Sequence, residues 1–362
     1  MIERAILEAS RRLRERGEPF VIATVVRVRG SAYRRPGARM IITCDGWIAG
    51  SVSGGCLEGD LARRAFWLTE HGATLVSYDS NVAPDAEPDE VRAAFGLGCG
   101  GVIDILVERH DRLSGNSGRL DPIALADEWM GAQRRGAIAT RIAGGSLFRC
   151  ALADDGEPSG NVMFELSREL AHAIATGETH IHAHHGHDYL IEAIRPSPRL
   201  FVFGTGHDVV PVVALGRRLG WEVIVCARHA RHGIVERFSD AGVLAIGTLE
   251  TFAAQIDSSD RALALVMSHD LDVDRANLGM LLGTRAMYIG VLGPRSRTDR
   301  MLGELGGVRD PRIHGPVGLE LGAETPDEIA LSIVSEIQAV LARSPATHLR
   351  EHLGSIHASA SS

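Results

Sequence analysis

The sequence predicts an α/β protein with an N-terminal α+β domain followed by a C-terminal Rossmann-like domain, which is a doubly wound parallel sheet. Two observations carry this prediction. From Pro19 to His110, short β-type apolar runs alternate with glycine and proline turns. After Pro198, short buried-type runs alternate with helical patterns, which is typical of parallel strands joined by crossover helices.

Composition limits the possible classes of protein. The chain has 362 residues, 45% hydrophobic and 23% charged, with a mean hydropathy of +0.03, so a soluble globular protein of two or three domains is expected. No apolar run approaches the roughly 18 residues that cross a bilayer, and we expect no membrane partner. A net charge of -8 argues against nucleic-acid binding.

The N-terminus and the cysteines indicate the cellular compartment. Met1–Arg16 interleaves charged and apolar residues, which predicts an amphipathic helix rather than a secretion signal. The five cysteines include no Cys-x-x-Cys pair, so neither a disulfide framework nor a zinc finger is indicated. A cytoplasmic protein with reduced thiols is expected.

The first domain is predicted to span residues 1–112. Its helix runs from about Leu57 to His71, because Leu57, Leu61, Ala65 and Leu68 recur at helical spacing. The predicted strands are Phe20–Val28, Met40–Thr43, Thr74–Tyr78 and Val102–Val107.

Residues 113–198 are interpreted as a connector or small subdomain. Its predicted elements are helices at Pro122–Gln133 and near Phe164–Thr176, and strands at Ala137–Ile142 and Leu147–Ala151. The histidines of this segment crowd one stretch, at His180, His182, His184, His185 and His187. Alternate histidines on an extended segment could ligate a metal, but a solvated loop is favoured, and no metal site is predicted.

The Rossmann-like domain is predicted at residues 199–345, followed by a tail at 346–362. Its last helix has a clear start, since Thr325, Pro326 and Glu328 supply an N-cap, a first-turn proline and the third-position acid. The predicted strands are Arg199–Phe203, Glu222–Cys226, Val243–Ile246, Ala262–Met267 and Ala286–Ile289.

A glycine turn follows the first of these strands. Gly204 and Gly206, with His207 after them, stand where backbone N–H groups at a helix start can receive a phosphate. The alternative is that both glycines serve packing only. Arg228 stands after the second strand, where an acid that holds a ribose is usual, so a ligand with more phosphate than NAD is favoured.

Other strand ends on the same sheet carry polar residues. His269 and Asp270 follow one strand and Arg295 and Arg297 follow the next, so they are placed to line a ligand site. Alternatively, Asp270 caps a helix and the arginines form surface ion pairs.

In the first domain, a glycine-bounded loop carries Arg34 and Arg35, which suit either an anionic group or an exposed turn. Cys56 follows Gly54 and Gly55 at a helix start, where the helix dipole helps a thiol to lose its proton. Burial is the alternative for Cys56.

The second glycine–cysteine segment is Gly98–Gly101. Here Cys99, followed by Gly100, is the better candidate for exposure. The remaining cysteines, Cys44, Cys150 and Cys226, lie in strand-like apolar runs and are predicted to be core.

Several of these motifs, in this order, resemble the xanthine dehydrogenase accessory factor family, also called XdhC/CoxI. The matching stretches are Gly30–Met40, Gly50–Glu58, Gly96–Gly101, Phe203–His207, Ser268–Asp270, Tyr288–Gly293 and Gly315–Ala330. The sequence departs from the family at Ala227–His229, where an Asp followed by an Arg is usual.

The resemblance implies a chaperone, rather than a turnover enzyme, that binds and protects molybdenum cofactor, as molybdopterin or its dinucleotide form. It further implies sulfuration with a cysteine desulfurase and delivery to a xanthine or carbon monoxide dehydrogenase-type molybdenum hydroxylase; a homo-oligomer is expected. The candidate residues are the thiols Cys56 and Cys99, with Arg34, Arg35, Gly54, Gly55, Glu58, Gly100, Gly204, Gly206, His207, Arg228, His269, Asp270 and Arg295. No catalytic residue is assigned.

Two other functions stay open. An NAD(P)-dependent oxidoreductase could use the same turn and sheet, and saturable nicotinamide binding with turnover would favour it. An interaction scaffold with an empty Rossmann domain is consistent with Val209 at the third fingerprint position and with Ala227.

Overall fold

The structure, a computed structural model, describes residues 2–30, 33–55, 57–79, 101–111, 120–142, 147–160, 163–229, 232–238 and 244–351. The chain divides into two compact units, with the division between Pro196 and Ser197. Unit 1 takes in Met1–Pro196 and unit 2 takes in Ser197–Ile356.

Unit 1 begins with an antiparallel sheet of five strands in the order β3-β2-β1-β5-β4. Its elements are α1 Arg4–Arg16, β1 Phe20–Gly30, β2 Arg39–Thr43, β3 Gly46–Gly50, α2 Glu58–Leu68, β4 Thr74–Asp79 and β5 Gly101–His110. Successive β1 residues point to opposite faces: Ile22 packs in the cluster that contains α1, and Val21 in the cluster that contains α2. Both faces of this sheet are therefore covered.

The predicted connector contains a second sheet, in the order β8-β7-β6-β10-β9. Its elements are α3 Pro122–Gly131, β6 Gly136–Ile142, β7 Arg149–Ala153, β8 Pro158–Ser159, α4 Phe164–Thr176, β9 His180–His184 and β10 His187–Ile194. The favoured loop at the histidines is wrong, because His180–His184 pairs with β10 as an edge strand. An edge strand that is only partly buried lacks the apolar alternation by which strands are recognised.

Buried ion pairs join the two sheets of unit 1. Arg39 on β2 donates to Glu192 on β10 at 2.7 Å, and Arg149 on β7 forms a two-pronged pair with Glu108 on β5 at 2.7 and 2.5 Å. All four side chains are almost fully buried. Removing one member of such a pair would leave an uncompensated buried charge, so these contacts fix how the sheets meet.

Unit 2 is a parallel sheet of six strands in the order β13-β12-β11-β14-β15-β16, with an apolar cluster on each face. Its strands are β11 Arg199–Phe203, β12 Glu222–Ala227, β13 Leu244–Ile246, β14 Ala262–Val266, β15 Tyr288–Val291 and β16 Ile313–His314. Its helices are α5 Val209–Arg218, α6 His232–Phe238, α7 Leu249–Asp257, α8 Leu271–Leu282, α9 Arg295–Glu304, α10 Pro326–Ala342 and a short 3₁₀ turn at Leu349–Glu351. The doubly wound fold is confirmed, and β16 is an addition to the five predicted strands.

Helix ends follow the sequence closely. Thr325 and Glu328 form the capping box expected at α10, and α1 is the predicted N-terminal amphipathic helix. Within the part of the chain described, none of the helices combines the length and the apolar character needed to traverse a bilayer.

Candidate functional site

The described candidate residues of unit 1 lie in loops at one end of the first sheet. Gly101, the first residue of β5, pairs with Gly30, the last residue of β1, and Gly50 at the end of β3 pairs with Met40 near the start of β2. Because β1 and β3 run in the same direction, Gly30, Gly50 and Gly101 lie at the same end of the sheet. In the sequence, the two predicted thiols and Gly100 stand close to Gly50 or Gly101, but Cys56, Cys99 and Gly100 themselves lie outside the described residues.

Glu58 organises the glycine loop before α2. Its side chain is buried, at 1% exposure. Its oxygens accept from both hydroxyls, Ser51 at 2.7 Å and Ser53 at 2.6 Å, and from backbone N–H groups at 2.8 to 2.9 Å. The backbone donors are those of Val52, Ser53 and Gly55. Both carboxylate oxygens are thus engaged within the loop, which assigns Glu58 a positioning role there.

The electrostatics of Glu58 agree with this geometry. Burial acts to raise its pKa, but the hydrogen bonds from the Ser53 hydroxyl and backbone and from the Ser51 hydroxyl outweigh burial and lower the pKa from 4.5 to about 2. The carboxylate is therefore ionised at neutral pH. It stands in the first turn of α2, where a negative charge is favoured by the helix dipole.

Two glycines give this loop its shape. Gly54 and Gly55 have φ values of +89° and +124°, a region that other L-residues rarely adopt. A Cβ at Gly54 would lie 2.9 Å from the ring of Tyr33, so this glycine also allows the two loops to meet. Tyr33 belongs to the loop with the two candidate arginines: Arg34 is ion-paired with Glu3, and Arg35 is exposed.

The described cysteines only partly follow the prediction. Cys150 and Cys226 are buried as expected, and burial raises the pKa of Cys150 to about 11 and that of Cys226 above its usual range. The core assignment of Cys44 is wrong, because β2 ends at Thr43 and Cys44 is exposed in the turn before β3. A strand-like run in the sequence extended one residue further than the strand.

In unit 2, each turn glycine has a reason within the fold. A Cβ at Gly204 would overlap the backbone carbonyl group of Met267, whose carbon would lie 2.7 Å away, so Gly204 lets the chain after β11 approach the chain after β14. A Cβ at Gly206 would overlap the carboxylate of Asp208. The packing alternative therefore accounts for Gly204, and Gly206 makes room for a polar side chain.

The turn has a neighbour that sequence reasoning missed. Arg237 reaches from α6, donates to the carbonyl of Thr205 and lies 3.1 Å from Nε2 of His207. Its Nε is buried and has no hydrogen-bond partner among the described residues. Nothing local in the sequence indicates that the guanidinium of Arg237 contacts the glycine turn. Arg228 is exposed just after β12.

A second missed residue is Asp208. Its Oδ2 lies 2.8 Å from Nε2 of His269, so His269 lies beside the turn. His269 has a φ of +65°, which is uncommon for a residue with a side chain.

The other polar strand-end residues have partners or positions of their own. Asp270 accepts from two backbone N–H groups and caps α8, which bears out the helix-cap alternative. Arg295 is exposed at the start of α9, while Arg297 pairs with the buried Asp274 at 2.8 Å, so its ion pair is not on the surface.

Comparison with known proteins places the chain in a family. Residues 200–337 match the model of the XdhC Rossmann domain, and residues 13–79 match the model of the XdhC and CoxI family. The chain is 31% identical over 328 residues to a probable xanthine dehydrogenase subunit of Bacillus subtilis (strain 168), covering 90% of this chain and 94% of that protein. The chain belongs to the XdhC and CoxI family.

Two further comparisons agree with this family. The chain is 24% identical over 336 residues to the molybdenum cofactor insertion chaperone PaoD of Escherichia coli (strain K12), covering 90% of this chain and 84% of PaoD. A crystal structure described as a xanthine dehydrogenase from Bacillus halodurans superposes with a TM-score of 0.74 at 27% identity, covering 95% of this chain and 98% of that one. The XdhC/CoxI resemblance and the predicted fold class are confirmed.

Proposed function

We propose that this protein is an accessory factor that binds molybdenum cofactor as cargo and protects it. It assists replacement of a molybdenum oxo ligand by sulfur with a cysteine desulfurase, and it delivers the cofactor to a molybdenum hydroxylase of the xanthine or carbon monoxide dehydrogenase type. Family membership and the similarity to an insertion chaperone support an accessory role. We place this activity in the cytoplasm and in a homo-oligomer.

The observation that carries the proposal is the gathering of strand ends in unit 1. The chain leaves β3 at Gly50 and enters β5 at Gly101 at the same end of the first sheet, and Glu58 holds the loop after Gly50 through three backbone and two hydroxyl hydrogen bonds. In the sequence, Cys56 directly follows that loop and Cys99 stands two positions before Gly101. Thiolates suit soft, polarisable centres, so cysteines presented from such a scaffold fit the handling of molybdenum and sulfur.

Unit 2 supports the binding of a phosphorylated cargo. Arg228 is exposed at the end of β12. Arg237 lies on the glycine turn, and its Nε has no hydrogen-bond acceptor among the described residues. Guanidinium groups pair with phosphate through several donors, so these two residues would hold the phosphate of the cargo.

The test is purification of the full chain from a molybdenum-replete host, followed by metal analysis and by fluorescence of the oxidised pterin that it releases. We expect molybdenum and pterin to co-purify. Cys56→Ser and Cys99→Ser should each lower pterin retention and activation of a co-expressed hydroxylase. Cys44→Ser is the matched control, because Cys44 is exposed but lies in the turn before β3.

The same experiment separates the other functions. Unchanged retention and activation in both cysteine variants would remove the thiols from the proposal. Saturable nicotinamide turnover without pterin would favour an NAD(P)-dependent oxidoreductase. The absence of any phosphorylated ligand, in purified protein and in calorimetry, would favour an interaction scaffold.

A further inference from the structure

An acidic side chain lies on the glycine turn of unit 2, where a dinucleotide site ordinarily receives pyrophosphate. Asp208 precedes α5, yet its carboxylate makes no capping hydrogen bond to that helix. One oxygen, Oδ1, instead takes the space that a Cβ on Gly206 would need, and the other, Oδ2, lies 2.8 Å from the ring of His269. The acceptor is thus directed over the second glycine.

The position of this carboxylate is supported from the neighbouring strand end. His269 follows β14 with a left-handed backbone, and Asp270 next to it is tied to the start of α8 by two hydrogen bonds. The side chain of His269 is 61% exposed and that of Asp208 is 18% exposed. The pair therefore lies at the surface of the turn, and the Asp208 carboxylate is the more buried of the two side chains.

A positive group also contacts the turn. Arg237 donates to the carbonyl of Thr205 and contacts His207, and its Nε is buried without a partner in the part of the chain described. The turn therefore has a guanidinium on the Thr205 side and an acceptor over Gly206. A pyrophosphate bridging both sides would meet the negative charge of Asp208 at short range, where like charges repel strongly.

We propose that Asp208 is a specificity-determining residue that accepts an N–H or O–H donor of the ligand, while a phosphate monoester binds at Arg237. This inference rests on the proposed function, because a pterin ring supplies such N–H donors and molybdopterin carries one phosphate. It further implies a preference for the monophosphate form of the cargo over its dinucleotide form and over NAD(P).

The test uses the purified full chain and two fluorescent probes, NADPH and neopterin monophosphate. Wild type should bind neopterin monophosphate more tightly than NADPH. Asp208→Asn removes the charge at constant shape and should tighten NADPH binding by about tenfold, while neopterin monophosphate weakens because a charged acceptor is lost. Asp272→Asn is the charge control, since Asp272 is 80% exposed in the first turn of α8.

Arg237→Gln should weaken both probes, with Arg218→Gln at the far end of α5 as its control. Asp208→Ser replaces Asp208→Asn if thermal melting shows that the latter is unfolded. NADPH affinity that is unchanged by the loss of Asp208, or undetectable with and without it, would overturn the proposal. If Asp208→Asn binds both probes more tightly by the same factor, Asp208 acts only as a repulsive charge. That result would overturn its assignment as an acceptor. None of these readouts depends on hydroxylase activation, so failure here is distinct from failure of the proposed function.

Discussion

The two units each place a carboxylate beside a pair of glycines at a helix start, but the two carboxylates differ in their partners. Glu58 in unit 1 is 1% exposed and accepts five hydrogen bonds from its own loop. Asp208 in unit 2 keeps partial exposure and pairs with the single imidazole of His269. A carboxylate whose lone pairs are filled by the backbone and hydroxyl groups of its own loop supports that loop, whereas one with spare acceptor capacity can face a ligand.

The glycines differ in the same way. Gly54 and Gly55 have backbone conformations that a side chain would strain, so they determine the path of the chain. Gly204 and Gly206 are defined by what lies against them, the backbone of Met267 and the carboxylate of Asp208. Similar sequence signatures thus serve a left-handed conformation in unit 1, with a close approach to Tyr33 at Gly54 as well, and close approach in unit 2.

The largest expected effect is a difference in stability between variants of Glu58 and of Asp208. Glu58→Ala leaves three buried and two partly buried donors without their acceptor and should lower the free energy of unfolding by about 3–5 kcal/mol. Asp208→Ala should cost less than about 1 kcal/mol, because its site is partly exposed. Urea denaturation followed by circular dichroism measures both, and similar costs for the two variants would end the contrast between the loops.

The pH dependence of the free energy of unfolding tests the role of Glu58. Its folded pKa of about 2 lies below the usual 4.5, so its contribution is complete above pH 4.5 and is lost as pH falls toward 2. Glu58→Gln should flatten the stability profile in this window relative to wild type, with Glu18→Gln on the surface as control. Parallel profiles for wild type and Glu58→Gln would contradict the assignment.

The turn glycines of unit 2 should respond unequally. Gly204→Ala forces a backbone carbonyl group to move and should destabilise the protein by about 2–3 kcal/mol. Gly206→Ala meets only the movable carboxylate of Asp208, so its cost should stay below about 1 kcal/mol. Thermal melting of the two variants side by side is the measurement. A larger loss for Gly206→Ala would place the tighter packing at the second glycine.

The smallest effect concerns the reactivity of the cysteine thiols. This prediction involves no change in the free energy of unfolding. Cys44 should react quickly with a maleimide at neutral pH because it is exposed, while Cys150 and Cys226 should react slowly because burial raises the pKa of each thiol. In the Cys44→Ser variant, any fast maleimide labelling that remains comes from Cys56 or Cys99. Mass spectrometry of the labelled peptides identifies which of the two has reacted. Rapid labelling of Cys226 in folded protein would contradict its place in the core.

Elements with a regular apolar pattern could be predicted from the sequence. The runs at Arg199–Phe203 and Ala262–Met267 became adjacent parallel strands, and Thr325 caps its helix as expected. The strand His180–His184 could not be predicted, since its edge position leaves histidines where apolar residues would mark a strand. The exposure of Cys44 depended on where β2 ends, which is the least certain feature of any local pattern.

The sequence by itself determined the fold class, the family and the glycines at both loops, because apolar periodicity, turn conformation and helix capping are properties of neighbouring residues. Only the tertiary structure decided the partners of the charged groups. Arg237 meets Thr205 across 32 positions, Asp208 meets His269 across 61, and Arg39 meets Glu192 across 153. Each of these side chains reads in the sequence as an ordinary surface charge, and it acquires its role when packing brings an opposite charge or an acceptor to it.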